Sequence, residues 1–216
     1  MTSFRFPADL QSVLCVGAHP DDIEIGAGGL IAAIAAAQPQ VQFSFIVFTS
    51  DDLRRAEAVA SAHALLGERV DIHAGEFEDG YLPYRDPSGA KDYLRSTIQR
   101  SPDLVLAPNA QDAHQDHRFV AELVGQVCRD QPVLGYEIVK YDGDLGQPNF
   151  YVPLSRQAAE SKTAHIKTHF GSQAVKPWFD DETFMSIMRL RGVESGDPRS
   201  YAEAFYASKL SATVSS

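Results

Sequence analysis

Cysteine, basic charge and long apolar runs are all scarce in this 216-residue sequence. Its only two cysteines, Cys15 and Cys128, match no short metal-binding spacing, so we expect reduced thiols rather than a disulfide. A formal net charge of −10 argues against a nucleic-acid-binding surface. The sequence lacks an apolar run long enough for a membrane span and an N-terminal signal-peptide core. These absences predict a cytoplasmic protein with no membrane span and no nucleic-acid partner.

The overall composition is that of an ordinary globular domain. Apolar residues make up 44% of the chain and charged residues 22%. No linker rich in Pro, Gly and Ser divides the sequence, so we predict a single domain over residues 1–216. Enzymes of this size often form symmetric assemblies, which leaves a homo-oligomer as an open alternative.

Short apolar runs alternate with segments of helical pattern through most of the chain. The predicted strands cover 12–18, 42–49, 70–73, 104–107 and 133–136, and the predicted helices cover 26–37, 51–66, 91–100, 118–128, 156–168 and 181–190. This alternation predicts an α/β fold with a doubly wound, mostly parallel sheet of order about 3-2-1-4-5 and helices on both faces. From residue 141 onward we expect a loop-rich C-terminal elaboration at the ligand edge of the sheet, with a frayed tail after residue 207.

Two polar motifs follow the first and fourth predicted strands. The sequence HPDD occupies residues 19–22, and DAHQDHR occupies residues 112–118. In doubly wound sheets, ligands bind at the carboxyl ends of the strands, where the strand order reverses. Because the order 3-2-1-4-5 makes strands one and four neighbours, we expect the two motifs to face each other.

These motifs contain the groups of a catalytic metal site. Two imidazoles and one carboxylate are a common zinc set that leaves a position for water, and we assign His19, Asp22 and His117 as the ligands. Asp21 cannot easily bind the same cation as Asp22, so we assign it as the base that takes a proton from a bound water, whose pKa zinc lowers to roughly 7. His114 is assigned to the developing oxyanion or to the leaving amine.

The prediction also includes two further carboxylates and alternative metal ions. Asp112 and Asp116 are candidates for orienting the imidazoles from behind. Fe²⁺ and Mn²⁺ are alternatives to Zn²⁺, since a His-His-Asp set admits several cations.

Each motif alone also has an ordinary structural explanation. A His-Pro-Asp segment is usually a turn, and two histidines three residues apart arise easily by chance among seven. The competing functions are a phosphoesterase, which usually needs two metals and more bridging carboxylates, and a non-catalytic carbohydrate-binding homologue. The motifs offer too few carboxylates for the phosphoesterase, and the intact set of acidic and imidazole side chains argues against the non-catalytic homologue.

The two motifs, in this order, resemble the metal motifs of the LmbE-like, or PIG-L, deacetylase family. The similarity runs from about residue 13 to residue 207. Supporting similarities are IEIG at 23–26, Arg54 with Glu57, Leu66-Gly67, Phe77, Asp79-Gly80, Leu82, His169, Ser172-Gln173, Arg191-Gly192 and YAEAF at 201–205.

The resemblance implies a Rossmann-like fold and zinc-dependent hydrolysis of an N-acetyl group from an amino sugar, a sugar conjugate or a nucleotide-linked sugar. It also places Arg54, Asp79 and His169 near the substrate, while Tyr81 is a loop aromatic that could stack on a sugar ring. Some family members carry a tyrosine where this chain has Asp112, so His114 is expected to provide more of the oxyanion stabilisation here.

Overall fold

A seven-stranded sheet forms the centre of the molecule in the computed structural model, which describes residues 5–196 and 201–210. The strand order is β3-β2-β1-β4-β5-β7-β6. The strands are β1 (Ser12–Gly17), β2 (Gln42–Thr49), β3 (Val70–Phe77), β4 (Leu104–Pro108), β5 (Val133–Tyr136), β6 (Phe150–Leu154) and β7 (Tyr201–Ser208). Strands β1 to β5 pair in parallel, and β7 is antiparallel to both β5 and β6. The predicted order 3-2-1-4-5 is therefore confirmed.

Helices cover both faces of this sheet. They are α1 (Asp22–Ala37), α2 (Asp52–Leu66), α3 (Leu82–Arg85), α4 (Pro87–Thr97), α5 (Gln115–Val127), α6 (Arg156–His169) and α7 (Asp181–Glu194). Alternate residues of β1 belong to different cores: Cys15 packs with α1, α2 and α6, whereas Val16 packs with α4 and α5. Both faces of the strand are buried, which explains its continuous apolar sequence. Within residues 5–196 and 201–210, no helix combines the length and apolarity that crossing a membrane requires.

Local sequence explains where α2 begins and how closely α1 packs against the sheet. The carboxylate of Asp51 accepts the backbone N–H of Arg54 and so caps α2. A Cβ atom at Gly26 would lie 2.0 Å from the Tyr136 ring, so α1 can approach β5 only because this position is glycine. Close helix–sheet packing therefore accounts for the glycines of α1.

The C-terminal part is more regular than the sequence predicted. Beyond residue 141, the helices predicted at 156–168 and 181–190 are present as α6 and α7, and two strands that the sequence did not predict, β6 and β7, extend the sheet. Strand β6 contains Pro153, which an edge strand tolerates because one side of its backbone is unpaired. Most of the tail predicted to fray, residues 211–216, lies outside the described residues.

Candidate active site

The two predicted motifs meet at the carboxyl ends of β1 and β4, which are adjacent strands. His19 lies in the turn between β1 and α1, and His117 lies in the first turn of α5. The Nδ1 atom of His19 is 3.1 Å from Nε2 of His117, although 98 residues separate them in the chain. The sheet topology thus brings the motifs together as expected.

Three side chains of these motifs, His19, Asp22 and His117, form a compact donor triangle in which each oxygen of the Asp22 carboxylate faces one of the two imidazoles. Besides the 3.1 Å edge between the imidazoles, His117 Nε2 lies 3.4 Å from Asp22 Oδ1, and His19 Nδ1 lies 3.5 Å from Asp22 Oδ2. Ligands on a tetrahedral zinc with bonds of about 2.1 Å are separated by about 3.4 Å. The residues present therefore fit a small divalent cation.

Two other groups of side chains place ligand atoms within 4.8 Å of one another. They are His19 with His114 and His117, and His19 with Asp79 and Asp116. Both groups include His19, so they surround the same imidazole and do not form a separate site. Among the described residues, Asp22 is the carboxylate that approaches both facing ring nitrogens, at 3.5 Å from His19 Nδ1 and 3.4 Å from His117 Nε2, which favours the set with Asp22.

The second ring nitrogen of His19 faces carboxylates. Its Nε2 lies 2.9 Å from Asp79 Oδ1 and 3.3 Å from Asp116 Oδ2. Asp116 is fully buried and also accepts the backbone N–H groups of Gly80 and Leu82, at 2.7 and 3.2 Å. A carboxylate behind an imidazole is the usual way in which proteins orient a metal-binding histidine. Asp116 also ties the loop containing Asp79 to α5.

His117 has a similar arrangement. Its Nδ1 lies 3.0 Å from Asp112 Oδ2, off the line of an ideal hydrogen bond, so the contact is mainly electrostatic. Lys140 Nζ lies 3.0 Å from the other oxygen of Asp112. Burial alone would lower the pKa of His117, but the Asp22 and Asp112 carboxylates raise it to about 9. Asp112 and Asp116 thus lie beside the outer ring nitrogens of His117 and His19, and their orienting role stays a prediction.

Asp22 is a rigid, charged carboxylate. Its Oδ2 accepts the backbone N–H groups of Ala18 and His19, each at 2.8 Å. Burial opposes ionisation, yet His117 and His19 hold the pKa of Asp22 well below its usual value. The backbone of the turn between β1 and α1 therefore holds the Asp22 carboxylate in place.

Asp21 adopts a left-handed backbone conformation, with φ of 103°. Such strain in a non-glycine residue is concentrated at functional sites. Its buried carboxylate lies 3.1 Å from Nη2 of Arg54, which also donates to the carbonyl of Pro20 at 3.0 Å. Burial and the neighbouring charge of Asp22 raise the pKa of Asp21 to about 7, while Arg54 opposes the rise. A carboxylate with a pKa near neutrality is suited to exchanging protons.

The structure identifies the tautomer of His114. The backbone N–H of Asp116 donates to His114 Nδ1 at 3.2 Å, so a neutral ring carries its proton on Nε2. Burial and the positive charges of His117 and His19 lower the pKa of His114. Its ring centre lies 4.6 Å from that of His117 and 4.9 Å from that of His19. His114 is therefore a neutral hydrogen-bond donor beside the donor triangle.

A pocket of about 220 Å³ opens over these groups. Five of the predicted catalytic and metal-binding residues line it, together with Arg54 and Asp79. The opposite wall consists of Ile138, Lys140, Tyr141, Asp142, Lys176 and Trp178. The two sequence motifs give no signal for these residues, which belong to the loops that follow β5 and α6.

Two predicted substrate-binding residues are not part of this pocket wall. Tyr81 is 46% exposed, and the Arg85 guanidinium lies 4.8 Å from its ring centre. His169 lies at the end of α6, with its ring 4.5 Å from that of His165. Arg54 and Asp79 are in place to contact a ligand, whereas roles for Tyr81 and His169 stay predictions without geometric support.

Comparison with known proteins identifies relatives over much of the chain. The family model described as PIG-L, GlcNAc-PI de-N-acetylase, matches residues 14–128. The uncharacterized deacetylase YaiS of Escherichia coli is 32% identical over 139 residues, which cover 59% of this chain and 74% of that protein. Diacetylchitobiose deacetylase of Thermococcus kodakarensis is 27% identical over 158 residues, covering 66% of this chain but only 53% of that longer protein.

A solved structure has the same fold. The N,N′-diacetylchitobiose deacetylase from Pyrococcus horikoshii superimposes with a TM-score of 0.68 over 93% of this chain and 85% of that chain, at 22% identity. At this identity the likeness concerns the architecture alone, and it supports the predicted doubly wound fold.

Proposed function

This chain belongs to the PIG-L family, and from that premise we propose that it hydrolyses the N-acetyl group of an amino sugar or sugar conjugate. The family resemblance expected from the two motifs is confirmed, and both curated relatives are named deacetylases. The observation that supports the proposal most strongly is the donor triangle of His19, Asp22 and His117, with edges of 3.1 to 3.5 Å.

The proposed metal ligands are His19 Nδ1, Asp22 Oδ1 and His117 Nε2. Zinc is the proposed cation, with Fe²⁺ and Mn²⁺ as alternatives, and when bound it supplies a Lewis acid for the amide carbonyl and an activated water. Asp79, Asp112 and Asp116 lie beside the outer nitrogens of the imidazoles, which favours a proton on each outer nitrogen and aims the inner nitrogens at one point.

Asp21 is the proposed general base. Its carboxylate takes one proton from the attacking water as the oxygen–carbon bond forms. The same proton then goes to the amine nitrogen as the carbon–nitrogen bond breaks, which releases acetate and a free amino sugar. Arg54 holds the Asp21 carboxylate in position, and its positive charge limits the rise in the pKa of this carboxylate.

His114 is proposed to stabilise the oxyanion. Its Nε2–H points away from the backbone N–H that occupies Nδ1, so it is available to the carbonyl oxygen of the substrate. A donor that is already in place before charge develops lowers the barrier without reorganisation. This role matches the presence of Asp112, rather than a tyrosine, two residues earlier.

Acetate release tests this proposal. Purified, zinc-repleted protein is incubated with a panel of N-acetylated amino sugars, their glycosides and nucleotide-linked sugars, and acetate is measured. Asp21→Asn should keep its metal and lose about 10²–10⁴-fold in turnover. Asp92→Asn, an exposed aspartate of α4, is the matched control and should remain active. Full activity of Asp21→Asn would show that another group is the base. A cytoplasmic location and a homo-oligomeric state stay predictions.

A further inference from the structure

Two of the three basic side chains that line the pocket are already paired with carboxylates. Arg54 lies 3.1 Å from Asp21 and 3.4 Å from Asp79. Lys140 lies 3.0 Å from Asp112 and 2.5 Å from Asp144. Their positive charges therefore organise the protein's own acidic groups and are not available to a ligand without breaking these pairs.

Lys176 is the exception among the pocket cations. Within residues 5–196 and 201–210, no carboxylate oxygen lies within 4.0 Å of its Nζ. The ammonium group instead lies 5.2 Å from the centre of the Trp178 ring, a cation–π contact that leaves its hydrogen-bond donors unused. Burial raises the pKa of Asp21 and the charge of Lys176 opposes this, so the ammonium is within electrostatic range of the proposed base.

An aromatic surface lies beside this free cation. The Trp178 ring is fixed by edge contacts with Phe179 and Phe184, at centroid distances of 5.8 and 6.5 Å. The ring of Tyr141 stands perpendicular to Trp178 at 6.4 Å and is 70% exposed. Rings in a pocket wall present apolar faces on which the C–H face of a sugar ring can pack. The wall therefore offers apolar packing for a sugar ring beside the Lys176 ammonium group, which has no carboxylate partner among the residues that the structure describes.

We propose that Lys176 determines substrate specificity by binding an anionic group, a phosphate or a carboxylate, that is attached to the acetylated sugar. This inference rests on the proposed deacetylase function and adds the substrate class. The sugar ring lies on Trp178 and Tyr141, with its acetamido group at the donor triangle and its anionic substituent at Lys176. Asp142, the remaining acid on this wall, forms no ion pair with Lys176, so the anion is expected on the lysine side of the pocket.

The kinetic test uses three glycosides of N-acetylglucosamine that differ only at the anomeric oxygen: the neutral methyl glycoside, the carboxymethyl glycoside and the 1-phosphate. We expect kcat/KM to be about tenfold higher for the anionic compounds, the usual effect of one charge-assisted hydrogen bond. Lys176→Met keeps the length of the side chain over Trp178 and should remove this preference, mainly through KM. Lys167→Met, whose lysine pairs with Asp181 on the surface, is the matched control and should behave like the wild type.

Equal kcat/KM for neutral and anionic compounds, or an equal loss on all three in Lys176→Met, would overturn the assignment. A preference confined to the phosphate would identify phosphate as the group recognised, and one shared with the carboxymethyl compound would identify a general anion site.

A binding measurement separates this inference from the proposed function. Trp178 is the only tryptophan in the chain, so its fluorescence reports ligands on this wall directly. Glucosamine 1-phosphate and methyl glucosaminide, the products of two of the reactions, are titrated into wild type and Lys176→Met. The phosphate should bind about tenfold more weakly to the variant, and the methyl glycoside should bind equally to both proteins. If no compound yields acetate, the deacetylase proposal fails, while the fluorescence titration still decides the role of Lys176.

Discussion

A buried ion pair between Lys162 on α6 and Glu203 on β7 connects these two elements to α1. The two charged side chains can be substituted separately. Lys162 Nζ lies 2.6 Å from Glu203 Oε1, and the two side chains are only 5% and 1% exposed. The Glu203 carboxylate also accepts the backbone N–H groups of Gly29 and Leu30, each at 2.7 Å. The Lys162 ammonium also donates to the carbonyl of Ile25 at 2.7 Å. The pair is therefore built into the middle of the helix that begins at Asp22.

The structure predicts unequal costs for the two single substitutions. Glu203→Gln leaves a buried ammonium without its counter-charge, which should lower the free energy of unfolding by about 3–5 kcal/mol. Lys162→Met leaves a carboxylate that keeps two backbone donors, so a smaller loss of about 1–3 kcal/mol is expected. In the double variant neither charge is left alone, and the total loss should fall short of the sum by about 1–3 kcal/mol.

Urea unfolding of the four proteins, analysed as a double-mutant cycle, measures this coupling. For a chain of about 200 residues, a loss of 3–5 kcal/mol corresponds to a fall in Tm of roughly 6–20 °C. Single effects that add up to the double effect within about 0.5 kcal/mol would show that the two charges do not stabilise one another.

Three further predictions concern packing and the metal site. Gly26→Ala should lower the free energy of unfolding in urea by about 1–3 kcal/mol or more, since its Cβ would overlap the Tyr136 ring. Gly125→Ala, whose Cβ meets no atom within 4 Å, should stabilise α5 by up to about 1 kcal/mol. A Gly26→Ala protein more stable than Gly125→Ala would contradict the close packing of α1 on β5. Asp112→Asn should weaken zinc affinity about 10–100-fold in chelator competition, and unchanged affinity would exclude its orienting role. The pKa of His117 is raised to about 9 and that of His19 well above its usual value by neighbouring carboxylates, so zinc must displace a proton from these imidazoles at lower pH. Apparent zinc affinity should therefore rise at least about tenfold per pH unit between pH 6 and 8, and a flat profile would contradict this.

The fold of the first 136 residues and the position of both motifs could be predicted because parallel α/β topology places strand ends at one edge. His19 and His117 come together through the pairing of β1 with β4, which follows from the strand order alone. The predicted bounds of β2 and β5 agree with the structure.

Strand β7 could not be predicted from its sequence pattern. Its residues YAEAFYAS include three alanines and a glutamate, which have low strand propensity, and its burial depends on a tertiary contact between Glu203 and the backbone of α1. The loop that contains Lys140 connects β5 to β6, which was not predicted either, so its place in the pocket wall could not be anticipated.

Deacetylation is expected to require one divalent cation, bound by His19, Asp22 and His117. Metal-free protein is titrated with zinc while acetate release and bound metal are measured together, for wild type and for His117→Ala. Activity should rise in step with bound zinc, reach its maximum at one zinc per chain, and be lost together with zinc binding in His117→Ala. Acetate release from the metal-free protein, or one tightly bound zinc in His117→Ala, would contradict this expectation.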